Sequence, residues 1–78
     1  MAKLILLGPA HDAAGTREDH FDGATLDAVL KEAVARYGVD FGALLETCQV
    51  WLNGEPAAPL THLESHDEIV VLPPVSGG

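Results

Sequence analysis

The stretch from Leu26 to Tyr37 constrains the fold more than any other. Leu26, Val29, Leu30, Ala33, Val34 and Tyr37 recur at 3, 4, 7, 8 and 11 residues from the first, so they form one apolar face of an α-helix. Thr25 stands where an N-cap hydroxyl would accept from the first free amides, and Asp27 falls in the first turn. Arg36 near the other end complements the helix dipole, and Gly38 supplies a left-handed stop. Such a helix cannot cover its own stripe, so the rest of the chain must supply an apolar surface. Two short runs do so, Leu4-Ile5-Leu6-Leu7 before Gly8-Pro9 and Glu68-Ile69-Val70-Val71-Leu72 before Pro73-Pro74. Both read as strands buried on both faces, the first central in a sheet.

The intervening segments follow from their punctuation. His11 to Gly15 reads as a loop, and the mostly polar Thr16 to Phe21 as an edge strand. Asp40 is placed to cap a second, shorter helix, in which Phe41, Leu44, Leu45 and Cys48 sit at 3, 4 and 7 spacing. Gln49 to Leu52 reads as a strand, Asn53-Gly54 as a tight hairpin turn, and Glu55 to Ala57 as a return strand that Pro56 confines to a sheet edge. Leu60 to His66 reads as a loop or a single helical turn. The order strand, strand, helix, strand, short strand, strand predicts an α+β fold, a mixed four- to five-stranded sheet over one main helix plus a short second helix.

With 78 residues there is room for one domain, and a chain this short buries only about 60% of the surface it exposes when unfolded. Phe21, Tyr37, Phe41 and Trp51 are the only aromatics, so the core is largely aliphatic. Residues 1–72 are expected to form the domain and 73–78 an extended tail.

Charge narrows the partners. Four Lys and Arg stand against twelve Asp and Glu, a formal net charge of −8, which repels phosphate backbones and anionic membrane surfaces. Neither nucleic acid nor a membrane is an expected partner. All four cations precede Tyr37, and the residues after it carry six acids and no Lys or Arg. That half of the chain suits a basic protein partner. The lone Cys48 cannot form an internal disulfide, and the longest apolar run is too short to span a bilayer. A soluble cytoplasmic protein is expected.

The sequence contains no phosphate-binding glycine loop, no metalloprotease helix motif, no CxxC and no nucleophile elbow, so a self-contained enzyme is not expected. Cys48 lies on the apolar face of its segment with no cation after it to favour a thiolate, and reads as a buried small hydrophobe. His62, Glu64 and His66 have a spacing that would chelate on a helix, but their segment is short and loop-like and lacks further ligands. They read as surface side chains, as do His11 and His20, and no metal site is expected. Trp51 alternates with Val50 and Leu52, so it faces the opposite side of the sheet from them and is a candidate interface anchor.

The last six residues, Pro73-Pro74-Val75-Ser76-Gly77-Gly78, form a distinct chemical unit. Two prolines hold the chain extended as it leaves the sheet, giving a reach of roughly 20 Å at about 3.3 Å per residue. Gly77 and Gly78 have no side chains, so a carboxylate on Gly78 can pass through a channel only as wide as a backbone. The unit reads as a narrow arm with a reactive end.

The segment Asp67-Glu68 to Gly78, with Asn53-Gly54-Glu55 upstream and Gly8-Pro9-Ala10 followed by Ala13-Ala14-Gly15, resembles the small sulfur-carrier subunits of molybdopterin synthases. These are a branch of the ubiquitin-like β-grasp proteins, alongside the thiamin sulfur carriers. The resemblance covers the whole chain. It implies a β-grasp fold and a cycle in which an activating enzyme uses ATP to adenylate Gly78. A sulfur donor such as a cysteine desulfurase or rhodanese then converts Gly78 to a thiocarboxylate, and the large synthase subunit receives the tail.

On this resemblance Gly78 bears the sulfur, Gly77 provides clearance, and Pro73, Pro74, Val75 and Ser76 form the inserted arm. Leu7, at a position often occupied by Phe, joins Trp51 as a candidate contact with the partner. No bound cofactor is implied, and catalysis is expected in the partner, not in this chain. The same terminus would serve a carrier for thiamin, cysteine, tRNA or natural-product thiolation, or a ubiquitin-like modifier.

Overall fold

A computed structural model describes residues 1–73. The elements run β1 (Ala2–Leu6), α1 (Pro9–Ala14), β2 (Glu18–Phe21), α2 (Leu26–Tyr37), α3 (Val39–Leu45), β3 (Gln49–Leu52), β4 (Glu55–Pro56) and β5 (Glu68–Leu72). The five strands form one mixed sheet in the order β2-β1-β5-β3-β4. The central pair β1 and β5 is parallel, with Leu4 opposite Ile69 and Leu6 opposite Val71, and the remaining pairs are antiparallel. This is the α+β, β-grasp arrangement that the sequence implies.

The core lies between the sheet and the helices. Leu4, Leu6, Ile69 and Val71 point to it from the two central strands and Leu26, Val29 and Ala33 from α2; Phe21 and Phe41 close it, all at most 1% exposed. Burial of each large apolar side chain contributes about 1.5–3 kcal/mol, so these few residues supply most of the driving force. β1 and β5 are central, but they are not buried on both faces. Burial alternates along each, leaving Lys3, Ile5 and Val70 half-covered, because helices pack on one side of the sheet only. β1 also starts earlier than the apolar run and ends at Leu6, leaving Leu7 38% exposed.

Thr25 Oγ1 accepts from the Ala28 amide at 3.2 Å, as its position predicts. The other free amides of α2 are met by the loop that follows β4: Leu26 N donates to Thr61 O at 3.0 Å and Asp27 N to Pro59 O at 2.7 Å. Gly38 ends α2 at φ 108, its amide donating to Val34 O. It is also the N-cap of α3, which therefore begins before Asp40, the residue expected to cap it.

The segment expected as a loop around His11 is instead α1, a third helix beyond the two expected. Pro9 occupies its first turn, where a missing amide costs nothing, and Ala10 is buried beneath it. Six residues are too few to display a period. Cys48 is half-buried, not fully buried, and partial burial pushes its thiol up from the ordinary range.

Both sheet edges are blunted. On β2 the outward backbone groups of His20 are engaged by side chains: its amide donates to Asp19 Oδ1 at 2.8 Å and its carbonyl accepts from Arg36 Nη1 at 3.5 Å. On β4 Pro56 has no amide to offer. Among the described residues no helix is long and apolar enough to cross a membrane.

Candidate functional site

The candidate site is the outer face of the sheet together with the point where the chain leaves β5. Register carries one row of residues across all five strands. Glu18 pairs with Ile5, Ile5 with Val70, Val70 with Trp51, and Trp51 with Pro56. Paired residues point to the same side, and this row alternates with the core residues, so it lies opposite the helices. Its centre, Ile5, Val70 and Trp51, is apolar and only half-covered. Trp51 thus stands where its alternation with Val50 and Leu52 predicts, those two packing against the core. Its indole nitrogen donates to Gln49 Oε1 at 3.2 Å.

One step toward the chain exit, Leu72 pairs with Gln49, and Leu7 extends β1 beside it, its amide donating to Val71 O at 3.2 Å. One step the other way the row is polar, with His20 beside the charged Lys3 and Glu68. Lys3 Nζ is paired with Glu18 at 3.2 Å. The outer face therefore grades from charged to apolar toward the exit, and Leu7 and Trp51, expected as partner contacts, are brought onto its apolar part. Ile5, Val70 and Leu72 join them, which sequence reasoning missed by assigning both strands to the interior. The alternation of Lys3 and Glu68 with buried neighbours was the available signal.

The exit itself is held by backbone geometry. Gly8 has φ 57 and ψ −131, a conformation open to glycine alone, and a Cβ there would lie 3.5 Å from the Pro73 ring. Pro73 is half-buried against this turn. The other arm residues named from the sequence, Pro74, Val75, Ser76 and Gly77, and the reactive Gly78, lie outside the described residues.

Ion pairing leaves the surface strongly acidic. Lys3, Lys31 and Arg36 are each matched, to Glu18, Asp27 and Asp19 respectively. Asp67 accepts from the Glu64 amide and from Asn53 Nδ2, which holds its carboxyl below the usual range. His62, Glu64 and His66 lie along the loop after β4, and among the described residues no three potential ligands of these types converge.

With an α+β sheet whose last strand leads into a Pro-Pro and Gly-Gly segment, comparison with known proteins is decisive. The model of the ThiS family matches residues 4–78. The chain belongs to the ThiS family. Within it, a molybdopterin synthase sulfur carrier subunit from Chlamydomonas reinhardtii is 30% identical over 81 aligned positions, covering 97% of this chain and 96% of that one. Among solved structures, the small archaeal modifier protein 1 from Methanosarcina acetivorans superposes with a TM-score of 0.86 at 28% identity, covering 99% of this chain and 95% of that one. The crystal structure of the corresponding protein from Haloferax volcanii gives 0.79 at 30% identity, covering 99% and 98%. This ThiS-family chain therefore shares a fold, over nearly its whole length, with relatives named as a sulfur carrier and as protein modifiers.

Proposed function

We propose that this protein is a sulfur carrier whose Gly78 is adenylated, converted to a thiocarboxylate and presented to the large subunit of a molybdopterin synthase. The observation that carries the reading is the near-full-length match to the Chlamydomonas reinhardtii molybdopterin synthase sulfur carrier subunit. A free carboxylate is a poor electrophile. Attack of a carboxylate oxygen on the α-phosphorus of ATP expels pyrophosphate and leaves an acyl adenylate. The terminal sulfur of the donor's persulfide then adds at the acyl carbon, AMP departs with the electron pair of the carbon–oxygen bond, and a thiol cleaves the resulting acyl disulfide, forming a disulfide with the donor and releasing the thiocarboxylate. The sulfur so bound is a nucleophile that the arm can deliver to the pterin precursor.

In this division of labour the chain supplies position and its partners supply catalysis. The apolar part of the outer face, Ile5, Val70 and Trp51 with Leu7 toward the exit, seats the partner protein, and the arm from Pro73 to Gly77 reaches its active site. The acidic surface favours partners that present Lys and Arg at the rim of that contact. ATP is a substrate of the activating enzyme and not a resident of this fold.

The test is a chain lacking Gly78, assayed for sulfur transfer to the pterin precursor with the large synthase subunit, alongside its thermal unfolding. The melting temperature should be unchanged, since glycine has no side chain to bury, while transfer should vanish. Transfer retained by the shortened chain would overturn the reading. Recovery of Gly78 in isopeptide bonds to lysines, with no thiocarboxylate formed, would favour a protein modifier instead.

A further inference from the structure

On the side opposite Trp51, α2 and α3 leave an open groove of about 560 Å³. Its floor is Leu30, Val34 and Leu45, each only half-covered by the core. The two helices approach closely at Gly42, where a Cβ would lie 3.0 Å from Val34 Cγ1. Glycine inside a helix costs about 1 kcal/mol relative to alanine, so this close packing is maintained against local propensity. At the start of α3, Val39 is 82% exposed, and it shares a face with Gly42 and Glu46 at 3 and 7 residue spacing. The loop carbonyl of Pro59 that meets Asp27 brings Leu60, 78% exposed, near the other end. Leu30, Val34 and Leu45 thus leave an apolar strip open between the two helices.

Charge identifies the occupant. Of the three ionic groups on the rim, Asp27 and Lys31 neutralise each other at 3.0 Å. Among the described residues Glu46 has no ion-pair partner, and the chain has no Lys or Arg after Arg36. Glu46 also stands at the C-terminal end of α3, with no basic residue in the last turn, where the helix backbone adds further negative potential. A second copy of this chain would bring its own −8 charge to the contact and is disfavoured by repulsion.

We propose that the groove between α2 and α3 docks an amphipathic helix of a partner protein, its apolar side chains on Leu30, Val34 and Leu45 and a Lys or Arg against Glu46. A trough between two helices accepts a third as its complement. The contact leaves the sheet's outer face and the Pro73 exit free, so the partner holds the carrier from behind while another protein receives its tail. The docking surface stands apart from the sulfur reading, because it requires neither ATP nor a loaded Gly78.

The probe is an acetylated, amidated helical peptide of about 15 residues with Leu at i, i+3, i+4 and i+7 and Arg on the flanks, alongside a twin with every Arg replaced by Glu. Each is titrated into the ¹⁵N-labelled full chain. The Arg peptide should shift the amides of Leu30, Val34, Gly42 and Leu45 saturably without moving Trp51, and the Glu twin should not bind. Glu46→Lys, at an exposed position that folding does not need, should weaken binding about fivefold or more, and Trp51→Ala should leave it unchanged. No saturable shift, equal binding of the twins, or shifts centred on Trp51 and Val70 would each overturn the proposal. So would concentration-dependent self-association abolished by Val39→Asp, which would make a second copy the occupant.

Discussion

The Tyr37 hydroxyl donates to Asp19 Oδ2 at 2.7 Å, tying the last turn of α2 to the edge strand β2. Arg36 Nη1 reaches the same oxygen at 2.8 Å, and its guanidinium lies 4.2 Å over the Phe21 ring. Tyr37 also packs edge-on against Phe21 and Phe41, with ring centroids 6.3 and 5.1 Å away. The phenol is held protonated by partial burial and by the neighbouring carboxylate. Asp19 is held down to about 2 by the Tyr37 hydroxyl and then by Arg36, against the opposing effect of its own burial.

This cluster predicts an acid-sensitive contribution to stability. Asp19 binds its proton less readily folded than unfolded, where the pKa is about 3.9. Its contribution is therefore in place above that value and is lost as pH falls toward about 2. Allowing for solvent screening it is about 1 kcal/mol. Urea unfolding at pH 6 and pH 2 should show a smaller loss in Asp19→Asn than in the unsubstituted chain. An identical loss in both would contradict the assignment. Tyr37→Phe, which removes one hydrogen bond, should cost about 1 kcal/mol at pH 6.

The β3–β4 turn depends on one asparagine. Asn53 takes φ 51, its Nδ2 donates to Asp67 Oδ1 at 2.9 Å, and its Oδ1 accepts from the Glu68 amide at 2.9 Å. Asn53→Ala loses both bonds and strains the left-handed backbone, a cost of about 2 kcal/mol in chemical unfolding. Asn53→Gly loses the bonds alone and should be the milder change by about 1 kcal/mol. Equal costs would mean that backbone conformation is not limiting there.

Gly23 lies where α2 begins, and a Cβ there would stand 2.8 Å from both the amide nitrogen and Cγ2 of Val29. Because one of these atoms is backbone, the strain cannot be relieved by a rotamer change, and Gly23→Ala should destabilise by about 1–3 kcal/mol. A neutral result in thermal unfolding would show that the loop before Thr25 yields freely.

Trp51→Ala should divide binding from stability. The side chain sits beside Val70 on the outer face and not in the core, so the melting temperature should change little while affinity for the large synthase subunit falls about tenfold or more. Equal effects on both would place Trp51 among the stabilising core contacts.

The sequence was legible where local chemistry and tertiary packing agree. The Leu26 to Tyr37 stripe, the Thr25 cap, the Asn53-Gly54 turn and the edge position of Pro56 are all realised. It is less legible in the short apolar runs, whose composition alone does not distinguish burial on one face from burial on both. Ile5 and Val70 are apolar although no helix covers them, and an apolar side chain on an open sheet face reads in the sequence like one that packs a core. α1 was hidden by its length, and the start of α3 by Gly38, which serves as the end of one helix and the cap of the next. The Leu30, Val34 and Leu45 groove had no separate signature, because the spacing that predicts a core face also describes a face only partly covered.

The central claim is that Gly78 carries sulfur, and the intact mass of the protein after incubation with its activating enzyme, ATP and a sulfur donor tests it most directly. The account predicts a gain equal to one sulfur replacing one oxygen, absent without ATP, absent in the chain lacking Gly78 and lost on alkaline hydrolysis. An unchanged mass with an activating enzyme that is demonstrably competent would contradict it.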